Sequence, residues 1–244
     1  MKILTWLWKN EEAGFNAQAV NNWASMLKKH TTKADIACVT DSPEGIDPDV
    51  EIIPVPKCPF KARTNQVQFP RLSMFHPFAG SLFGDEDLFC MDLDCIVLKN
   101  IDHLLDVGDD KLRFHVDPAI SVPYSLGLQY IKAGSAPEVY MPLTNRGHFR
   151  SFTRKHPEVE TSKFVDLLWV VDHLGTPYGS WGQKEGVYSA AYVASALSDP
   201  KMAEEVESSA SLIMCIGDYK PWKEAEKNTL LGKWYTHQAG ANEE

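Results

Sequence analysis

The sequence lacks any hydrophobic run long enough to cross a bilayer. Its apolar start, residues 3–8, is far shorter than the roughly 20 residues that a membrane-spanning helix needs. No small-residue cleavage site follows that start, so the sequence indicates no secretory signal. We therefore expect a cytoplasmic protein without a transmembrane segment, whose contacts with membranes, if it makes any, are peripheral.

The sequence is also poor in cysteine, with five in 244 residues and no CxxC pair. An odd number of scattered cysteines is typical of free thiols in a reducing compartment and not of a disulfide framework. Cys38, Cys90 and Cys95 lie in apolar runs, where cysteine behaves as a small hydrophobic residue; the others are Cys58 and Cys215. A zinc site therefore has little support.

Positive charge is scarce as well, since 24 Lys and Arg face 33 Asp and Glu, for a net charge of −9. Binding to nucleic acid usually requires a basic face, so we expect no nucleic-acid partner. A phosphate-bearing ligand remains compatible with this charge, because a bound divalent cation supplies positive charge locally. P-loop, Gly-x-Ser-x-Gly and His-Glu-x-x-His motifs are missing, which argues against P-loop NTPases, serine hydrolases and zinc proteases.

What the sequence does contain is an alternation of strand and helix patterns. Residues 2–8 read as a buried strand, residues 16–30 have helical spacing, and short apolar runs follow at 36–40 and 50–55. This β-α-β-β order predicts an α/β fold with a parallel sheet. No repeat, low-complexity tract or linker interrupts the chain, so we expect a single domain over residues 1–244.

The strongest local signal is a pair of aspartates inside an apolar run, residues 87–98. On an extended strand Asp92 and Asp94 point to the same face, where two uncompensated carboxylates repel each other. A hard divalent cation, Mn²⁺ or Mg²⁺, relieves that repulsion and commonly binds phosphate oxygens too. The alternative is a strand end in solvent, but the long apolar flanks and the α/β context favour a ligand site, because ligands gather at the carboxyl ends of such strands.

The segment LFCMDLDCIVLKNIDHLL, residues 88–105, resembles the Asp-x-Asp strand of GT-A glycosyltransferases, especially the glycogenin-like, family 8-type enzymes. The β-α-β start and the Phe69-Pro70-Arg71-Leu72 segment extend the resemblance loosely. Residues 123–134 are similar to the acceptor-side strand of that family, and Gly217-Asp218-Tyr219-Lys220-Pro221-Trp222 is similar to its terminal Gly-x-x-Lys-Pro-Trp element. The resemblance implies a Rossmann-like nucleotide-sugar-binding fold with a mixed, mostly parallel central sheet.

The resemblance also implies roles for individual residues. Asp92 and Asp94 would bind the metal and, through it, the donor diphosphate, with Asp94 acting in catalysis. Gln183 would lie near the anomeric carbon of the sugar. The remaining candidates are Thr5 and Trp6 for the base and ribose, Arg71, Gly217 and Lys220 for the phosphates, Ser125 for the acceptor side, and Trp181 and Trp222 for the substrate site.

The sequence departs from the family pattern at three positions. Met214 stands where the family has a histidine that serves as a third metal ligand, and a thioether is a poor ligand for a hard cation. Ser125 replaces an asparagine on the acceptor strand, and Gly182 stands where an aspartate precedes the glutamine. These departures predict a divergent branch with its own donor or acceptor, whose metal is held by only two protein groups or is held weakly.

Two further features have a simple interpretation and a functional one. His115 and Asp117 are spaced like Asp92 and Asp94, and we interpret them as a solvated strand end in preference to the flank of a site. His148 forms a local basic cluster with Arg146, Arg150 and Arg154, which could bind an anionic acceptor such as a phosphorylated glycan. Charge runs of this kind are more often a solvated helix face, which is the interpretation that we favour.

We therefore predict an enzyme that transfers a hexose from a nucleotide-sugar, most plainly a UDP-sugar, to a glycan or another hydroxyl acceptor. The resemblance to glycogenin-like enzymes implies retention of the anomeric configuration. Two alternatives remain open at this stage. A nucleotidyltransferase, which also uses paired aspartates, would release pyrophosphate instead of UDP, and a degenerate GT-A domain would bind nucleotide or glycan without turnover.

Overall fold

A computed structural model describes residues 1–8, 13–57, 69–117, 123–157, 165–175, 179–217 and 219–240. Cys58 and Asp218, which the sequence analysis names, lie outside these ranges. The strands are β1 (Lys2–Trp6), β2 (Asp35–Val39), β3 (Glu51–Ile53), β4 (Leu88–Met91), β5 (Cys95–Val97), β6 (Leu112–His115), β7 (Ser125–Ile131), β8 (Ser180–Trp181), β9 (Val187–Ser189) and β10 (Leu212–Met214).

Helices surround the strands. The α-helices are α1 (Ala17–His30), α2 (Ala79–Phe83), α3 (Pro137–Tyr140), α4 (Arg146–Lys155), α5 (Val165–Leu174), α6 (Ala190–Ala196), α7 (Pro200–Ser209), α8 (Pro221–Glu226) and α9 (Leu230–Ala239). Short 3₁₀ helices cover Phe69–Phe75, Met141–Thr144 and Gln183–Glu185. Within the described residues, no helix is both long and apolar enough to pass through a membrane.

The main sheet has seven strands in the order β3-β2-β1-β4-β7-β6-β8. The strands β3, β2, β1 and β4 are mutually parallel, β7 runs antiparallel to both of its neighbours, and β8 is parallel to β6. The predicted α/β class with a mixed, mostly parallel sheet is therefore confirmed. Parallel strands need crossover connections, and α1 provides the first of them, between β1 and β2.

Helix α1 begins and packs as its sequence predicts. The side chain of Asn16 accepts a hydrogen bond from the backbone of Ala19 and so caps the first turn. Val20, Trp23 and Leu27 are fully buried on one face, in a core cluster that includes residues of both β1 and β5. Each such side chain stabilises the fold by about 1.5–3 kcal/mol relative to exposure, and this burial fixes the helix on one side of β1.

The core lies on both faces of the main sheet. Alternate residues of β1 point to opposite faces, so Ile3 packs on the α1 side while Leu4 packs on the side of the 3₁₀ helix Phe69–Phe75 and of α5. The 3₁₀ helix Phe69–Phe75 and α5 are thus anchored in this second layer of the core.

A smaller sheet, in the order β5-β10-β9, corrects one prediction. The apolar run 87–98 is not one strand, because β4 ends at Met91 in the main sheet and β5 begins at Cys95 in the small one. The chain changes partners between them: the backbone N–H of Asp92 donates to Gly127 of β7, whereas the carbonyl of Asp94 accepts from Cys215, just after β10. The two aspartates therefore form the crossing between two sheets.

Candidate functional site

The candidate site lies at one edge of the main sheet. The parallel strands β1, β4 and β6 end there, and the antiparallel strand β7 begins there at Ser125. Asp92 follows β4 directly, so it stands at the carboxyl edge where open α/β sheets bind their ligands. The edge also receives the loop after β10, which runs from Cys215 towards Lys220.

Asp92 is paired with Arg71. Nη1 of Arg71 donates to Oδ1 of Asp92 at 2.8 Å, and 36% of the Asp92 side chain remains exposed. Arg71 lies on the 3₁₀ helix Phe69–Phe75 and is itself buried. The predicted position of Arg71 beside the acidic pair agrees with this geometry, which leaves Oδ2 of Asp92 without a hydrogen bond to any described residue.

Asp94 is paired with Lys220. Nζ of Lys220 donates to Oδ2 of Asp94 at 2.6 Å and to the carbonyl of Gly217 at 2.8 Å. Only 12% of the Asp94 side chain is exposed. Burial and the neighbouring Asp92 raise the pKa of Asp94 to about 6, while Lys220 acts in the opposite direction. A carboxyl group with a raised pKa is one whose negative charge lacks full compensation, and this is the condition that a further cation relieves.

Gly217 gives the terminal element its shape. Its φ of +70° is the left-handed conformation that glycine adopts without strain, and a side chain placed there would meet no described atom within 4 Å. The backbone at this point is therefore open to close approach by a ligand, next to the ammonium group of Lys220.

Asp166, which sequence reasoning missed, completes the network. It is buried on α5, and its Oδ2 accepts hydrogen bonds from Nε and Nη2 of Arg71 at 3.0 and 2.7 Å. Its Oδ1 accepts from the backbone of Leu167 at 2.9 Å. Burial lowers the pKa of Arg71, but Asp166 and Asp92 raise it and the net shift is upward. The available signal was an aspartate on the buried face of an otherwise apolar helix.

Ser125 and Met214 meet Asp92 around Gly127. A methyl group added at Gly127 would lie 3.2 Å from Cε of Met214 and 3.3 Å from both Oδ2 of Asp92 and Oγ of Ser125. The backbone N–H of Gly127 donates to that Ser125 hydroxyl at 3.1 Å. The structure thus brings Ser125 beside the acidic pair, and it places the thioether of Met214 there too.

The donor set of this cluster accommodates a hard cation only in part. Among the described residues, no group of three or more His, Cys, Asp or Glu side chains converges to hold a metal ion. Asp92 and Asp94 each keep one carboxylate oxygen that is not bonded to Arg71 or Lys220. Mg²⁺ is commonly bound by one or two carboxylates together with phosphates and water, so these two oxygens suit an ion that a diphosphate completes.

Thr5 and Trp6, predicted beside the base and ribose, are both buried in this structure. The accessible aromatic ring at this end of β1 is instead Trp8, which stacks on Trp6 with ring centroids 5.4 Å apart. The guanidinium carbon of Arg71 lies 6.0 Å from the centroid of the Trp8 ring. Trp8 is therefore a partly exposed aromatic ring at the rim of the site.

The two predicted substrate tryptophans differ in their surroundings. Trp181 is 1% exposed, packs against Phe89 at 5.3 Å and lies under Arg113, so neither face of its ring is open to a sugar. Trp222 is half-buried, and its Nε1 donates to the carbonyl of Ala13 at 2.9 Å. In this position Trp222 holds the segment that carries Phe15, whose ring lies 5.6 Å from Nζ of Lys220.

Gln183 lies on another part of the sheet edge. It begins the short helix after β8 that leads to Val187, the first residue of β9. Val187 pairs with Leu212 at one end of the small sheet. Asp94 precedes Cys95, which pairs with Met214 at the other end. No hydrogen bond joins Gln183 to either aspartate within the described residues, and its role at the anomeric carbon stays a prediction.

The interpretation of His115 and Asp117 as a solvated strand end is wrong. Both side chains are buried, because β6 continues to pair with β7 and β8 as far as His115. Burial lowers the pKa of His115 to about 4, and the nearby Asp117 opposes that shift. The histidine is therefore neutral at physiological pH.

No protein-family model matches the sequence, and no curated protein matches it. Solved structures do match the fold. The galactosyltransferase LgtC in complex with donor and acceptor sugar analogues is similar with a TM-score of 0.62 and 14% identity, over 99% of this chain and 96% of LgtC. An LgtC active-site mutant in which glutamate replaces glutamine is similar with a TM-score of 0.63 and 14% identity, over the same shares of each chain.

The glycosyltransferase GlyE of Streptococcus pneumoniae TIGR4 gives a TM-score of 0.61 at 13% identity, over 97% of this chain and 60% of GlyE. These identities are low, so the likeness is one of fold. The chain has the fold of the GT-A glycosyltransferases, as the sequence resemblance implied.

Proposed function

We propose that this protein is a glycosyltransferase that transfers a hexose from a nucleotide-sugar, in the first instance a UDP-sugar, to a hydroxyl group of a glycan or another acceptor. The observation that carries the proposal is the double pairing at the sheet edge, Asp92 with Arg71 and Asp94 with Lys220, in a chain with the GT-A fold. Two carboxylates and two cations around an open backbone suit a metal-bridged diphosphate better than they suit a neutral ligand.

In this proposal Asp92 and Asp94 hold a Mn²⁺ or Mg²⁺ ion through their remaining carboxylate oxygens. The position that would supply a third protein ligand is Met214, whose thioether suits a hard cation poorly, so phosphate oxygens and water complete the shell. When bound, such an ion stabilises the negative charge that develops on the departing diphosphate.

The cations of the chain act on the same charge. Lys220 is a compact point charge beside the open backbone of Gly217, so it contacts a phosphate oxygen as the diphosphate leaves. Arg71 has two of its nitrogens fixed by Asp166 and directs only Nη1 into the site. The bond between the sugar's anomeric carbon and the diphosphate breaks, a bond to the acceptor oxygen forms, and the acceptor proton is released with UDP.

The remaining assignments rest on the resemblance and on position. We propose Ser125 for the acceptor side and Gln183 near the anomeric carbon, with retention of configuration as in the glycogenin-like enzymes. LgtC has a glutamine in its active site, since one of its active-site mutants carries glutamate in place of glutamine, and this is consistent with a glutamine in the site proposed here. Trp222 supports the loop of Lys220, and Trp8, at the exposed end of β1, is the aromatic side chain that we assign to the nucleotide base in place of the buried Trp6.

We further propose a single domain over residues 1–244 in the cytoplasm. The four cysteines within the described residues, Cys38, Cys90, Cys95 and Cys215, are all buried free thiols. Buried thiols without disulfide partners suit a reducing compartment.

The test is a screen of nucleotide-sugars for hydrolysis that depends on Mn²⁺ or Mg²⁺, with free UDP as the measured product. We expect Asp94→Asn to lower hydrolysis at least about a hundredfold, because it removes a metal ligand and unbalances Lys220. Asp109→Asn, at an exposed position of the same residue type, serves as the matched control. Equal hydrolysis by Asp94→Asn and wild type would sink the proposal.

Two other results point to the alternatives. Release of pyrophosphate in place of UDP would indicate a nucleotidyltransferase. Tight, metal-dependent binding of UDP in calorimetry, without turnover of any donor, would indicate a GT-A domain that binds nucleotide and has lost catalysis.

A further inference from the structure

Helix α4 is a strongly basic helix on an acidic protein. Its ten residues include Arg146, Arg150, Arg154 and Lys155 and contain no aspartate or glutamate. All four cations are exposed. The three arginines are spaced four residues apart, so they form a row along the helix with a rise of about 6 Å between successive members. We call Arg146, Arg150 and Arg154 the arginine row.

The arginine row destabilises helix α4 in the isolated protein. Like charges four residues apart on a helix repel each other, and Arg146 stands in the first turn, where the helix dipole disfavours a cation. Lys155 pairs with Asp172, but no carboxylate of the described residues lies within ion-pair distance of any arginine of the row. Among the described residues, the row therefore has three positive charges without an acidic partner.

The opposite face of α4 fixes the direction of the row. Phe152 is buried against Trp169 of α5, with ring centroids 4.8 Å apart, and Phe149 packs edge-on against Phe69 at 5.7 Å. These aromatic contacts hold the helix against the body of the protein. The arginines consequently point away from the core, towards any surface that approaches from outside.

Exposed apolar side chains lie on neighbouring elements. Phe78, the residue before α2, is 71% exposed, and Leu82 within α2 is 38% exposed. Met141, the first residue of the 3₁₀ helix that precedes α4, is 49% exposed. His76 contacts both Phe78 and Tyr140, with ring centroids 5.7 and 4.6 Å away, so the α2 side chains adjoin the segment that leads into α4. Together with Ile52, these three residues are the exposed large hydrophobic side chains of the described part of the chain.

We propose that the arginine row, together with Phe78, Leu82 and Met141, docks the protein on the surface of an anionic lipid bilayer. A row of unpaired cations attracts acidic headgroups, and exposed apolar side chains insert into the boundary between headgroups and acyl chains. A soluble polyanion such as a phosphorylated glycan satisfies the arginines but offers nothing to the apolar side chains. The combination therefore favours a bilayer.

This docking surface is connected to the proposed donor site through two helices. Phe69 and Trp169, against which α4 packs, belong to the same two helices that carry Arg71 and Asp166. An enzyme held in this way meets acceptors at the membrane surface. The docking itself does not depend on the proposed glycosyl transfer, since it involves neither Asp92 nor Asp94.

The test is co-sedimentation with vesicles of phosphatidylcholine alone or mixed with phosphatidylglycerol. We expect wild type to sediment with the anionic vesicles at low salt and to be released as salt rises, because screening shortens the reach of the charges to about 10 Å at 0.1 M. The triple variant Arg146→Gln, Arg150→Gln, Arg154→Gln loses roughly tenfold or more in vesicle affinity. The variant Phe78→Ser with Met141→Ser weakens binding at every salt concentration.

The matched control removes three exposed lysines elsewhere, as Lys33→Gln, Lys184→Gln, Lys201→Gln, with the same change in net charge. Circular dichroism and Tm establish that each variant is folded, as we expect because the substituted residues are exposed. Wild type that stays in the supernatant with anionic vesicles overturns the proposal, as does a triple arginine variant that binds like the lysine control. Binding to a phosphorylated polysaccharide without binding to vesicles also overturns it.

Discussion

Lys220 donates a 2.6 Å hydrogen bond to Asp94, and the two residues are 126 positions apart in the sequence. The pair joins the terminal loop to the crossing between the two sheets. We expect Lys220→Met to lower hydrolysis of the donor by about a hundredfold, because the departing diphosphate loses a point charge. Product formation by wild type, Lys220→Met and the exposed control Lys223→Met is compared under saturating Mn²⁺. Equal rates in the first two proteins would remove Lys220 from the donor site.

Asp166 orients Arg71 from within the core. Asp166→Asn leaves a buried guanidinium without its main partner, and we expect the free energy of unfolding to fall by about 3–5 kcal/mol. Urea unfolding measures this loss. The double variant Asp166→Asn, Arg71→Met removes both charges, so it is expected to be more stable than Asp166→Asn alone. A single variant that loses less than about 1 kcal/mol would contradict a positioning role for Asp166.

His115 makes stability depend on pH. Its folded-state pKa of about 4 lies below the ordinary value of 6.5, so between these two values the unfolded chain binds a proton that the folded protein does not. Stability is therefore full above pH 6.5 and decreases as the pH falls towards 4, by about 3 kcal/mol over the window.

The measurement is urea unfolding at several pH values for wild type, His115→Asn and His148→Gln, the last at an exposed histidine. We expect His115→Asn to flatten the acid side of the stability profile, while His148→Gln leaves it unchanged. A profile for His115→Asn that runs parallel to wild type would show that the histidine titrates normally.

Met214 distinguishes this chain from the family that its sequence resembles, which has a histidine at this position. Met214→His places an imidazole beside Asp92, where its nitrogen adds a third protein ligand to the two carboxylates of the proposed metal site. We expect affinity for Mn²⁺ in the presence of UDP to rise on the order of tenfold in calorimetry. Met202→His, on α7, is the control for an added histidine. An unchanged affinity would argue that the ion, if bound, lies away from this face of Asp92.

Gln183 offers the sharpest test of the sequence resemblance. If it lies at the anomeric carbon, Gln183→Ala lowers kcat roughly tenfold to a hundredfold and leaves the affinity for UDP unchanged. Steady-state kinetics with an active donor and calorimetry with UDP separate these two effects. An unaltered kcat would show that Gln183 has no role in the reaction and is only part of the connection between β8 and β9.

Much of the fold was readable from local patterns. The helix at residues 16–30 has a capping asparagine, an apolar face and a basic last turn, and each of these acts within a few residues of itself. The crossing at Asp92–Asp94 was not readable, because an apolar run is the same whether it stays in one sheet or passes to another. Only pairing with Gly127 and Cys215, both distant in sequence, decides between the two.

In the site as well, local sequence patterns predicted some residues, while those that depend on distant partners were missed. Arg71 and Lys220 were predicted beside the acidic pair through motifs that keep their spacing. Asp166 was missed because its partner is 95 residues away and its helix reads as plain core. The burial of Trp6 and Trp181 was equally invisible, since a tryptophan beside a motif has the same local sequence whether it faces a sugar or the core.

The crossing between the sheets has a consequence for how the chain can change over generations. Asp92 is fixed by the main sheet and Asp94 by the small one, with only the buried Leu93 between them. The distance between the two carboxylates therefore depends on how the two sheets pack against each other. Substitutions in the packing of the small sheet, at Ile96 or Ile213 for example, shift that spacing without touching either aspartate. If the pair holds an ion as proposed, its preference for a smaller or larger ion can thus drift through core residues while the acidic pair itself stays constant.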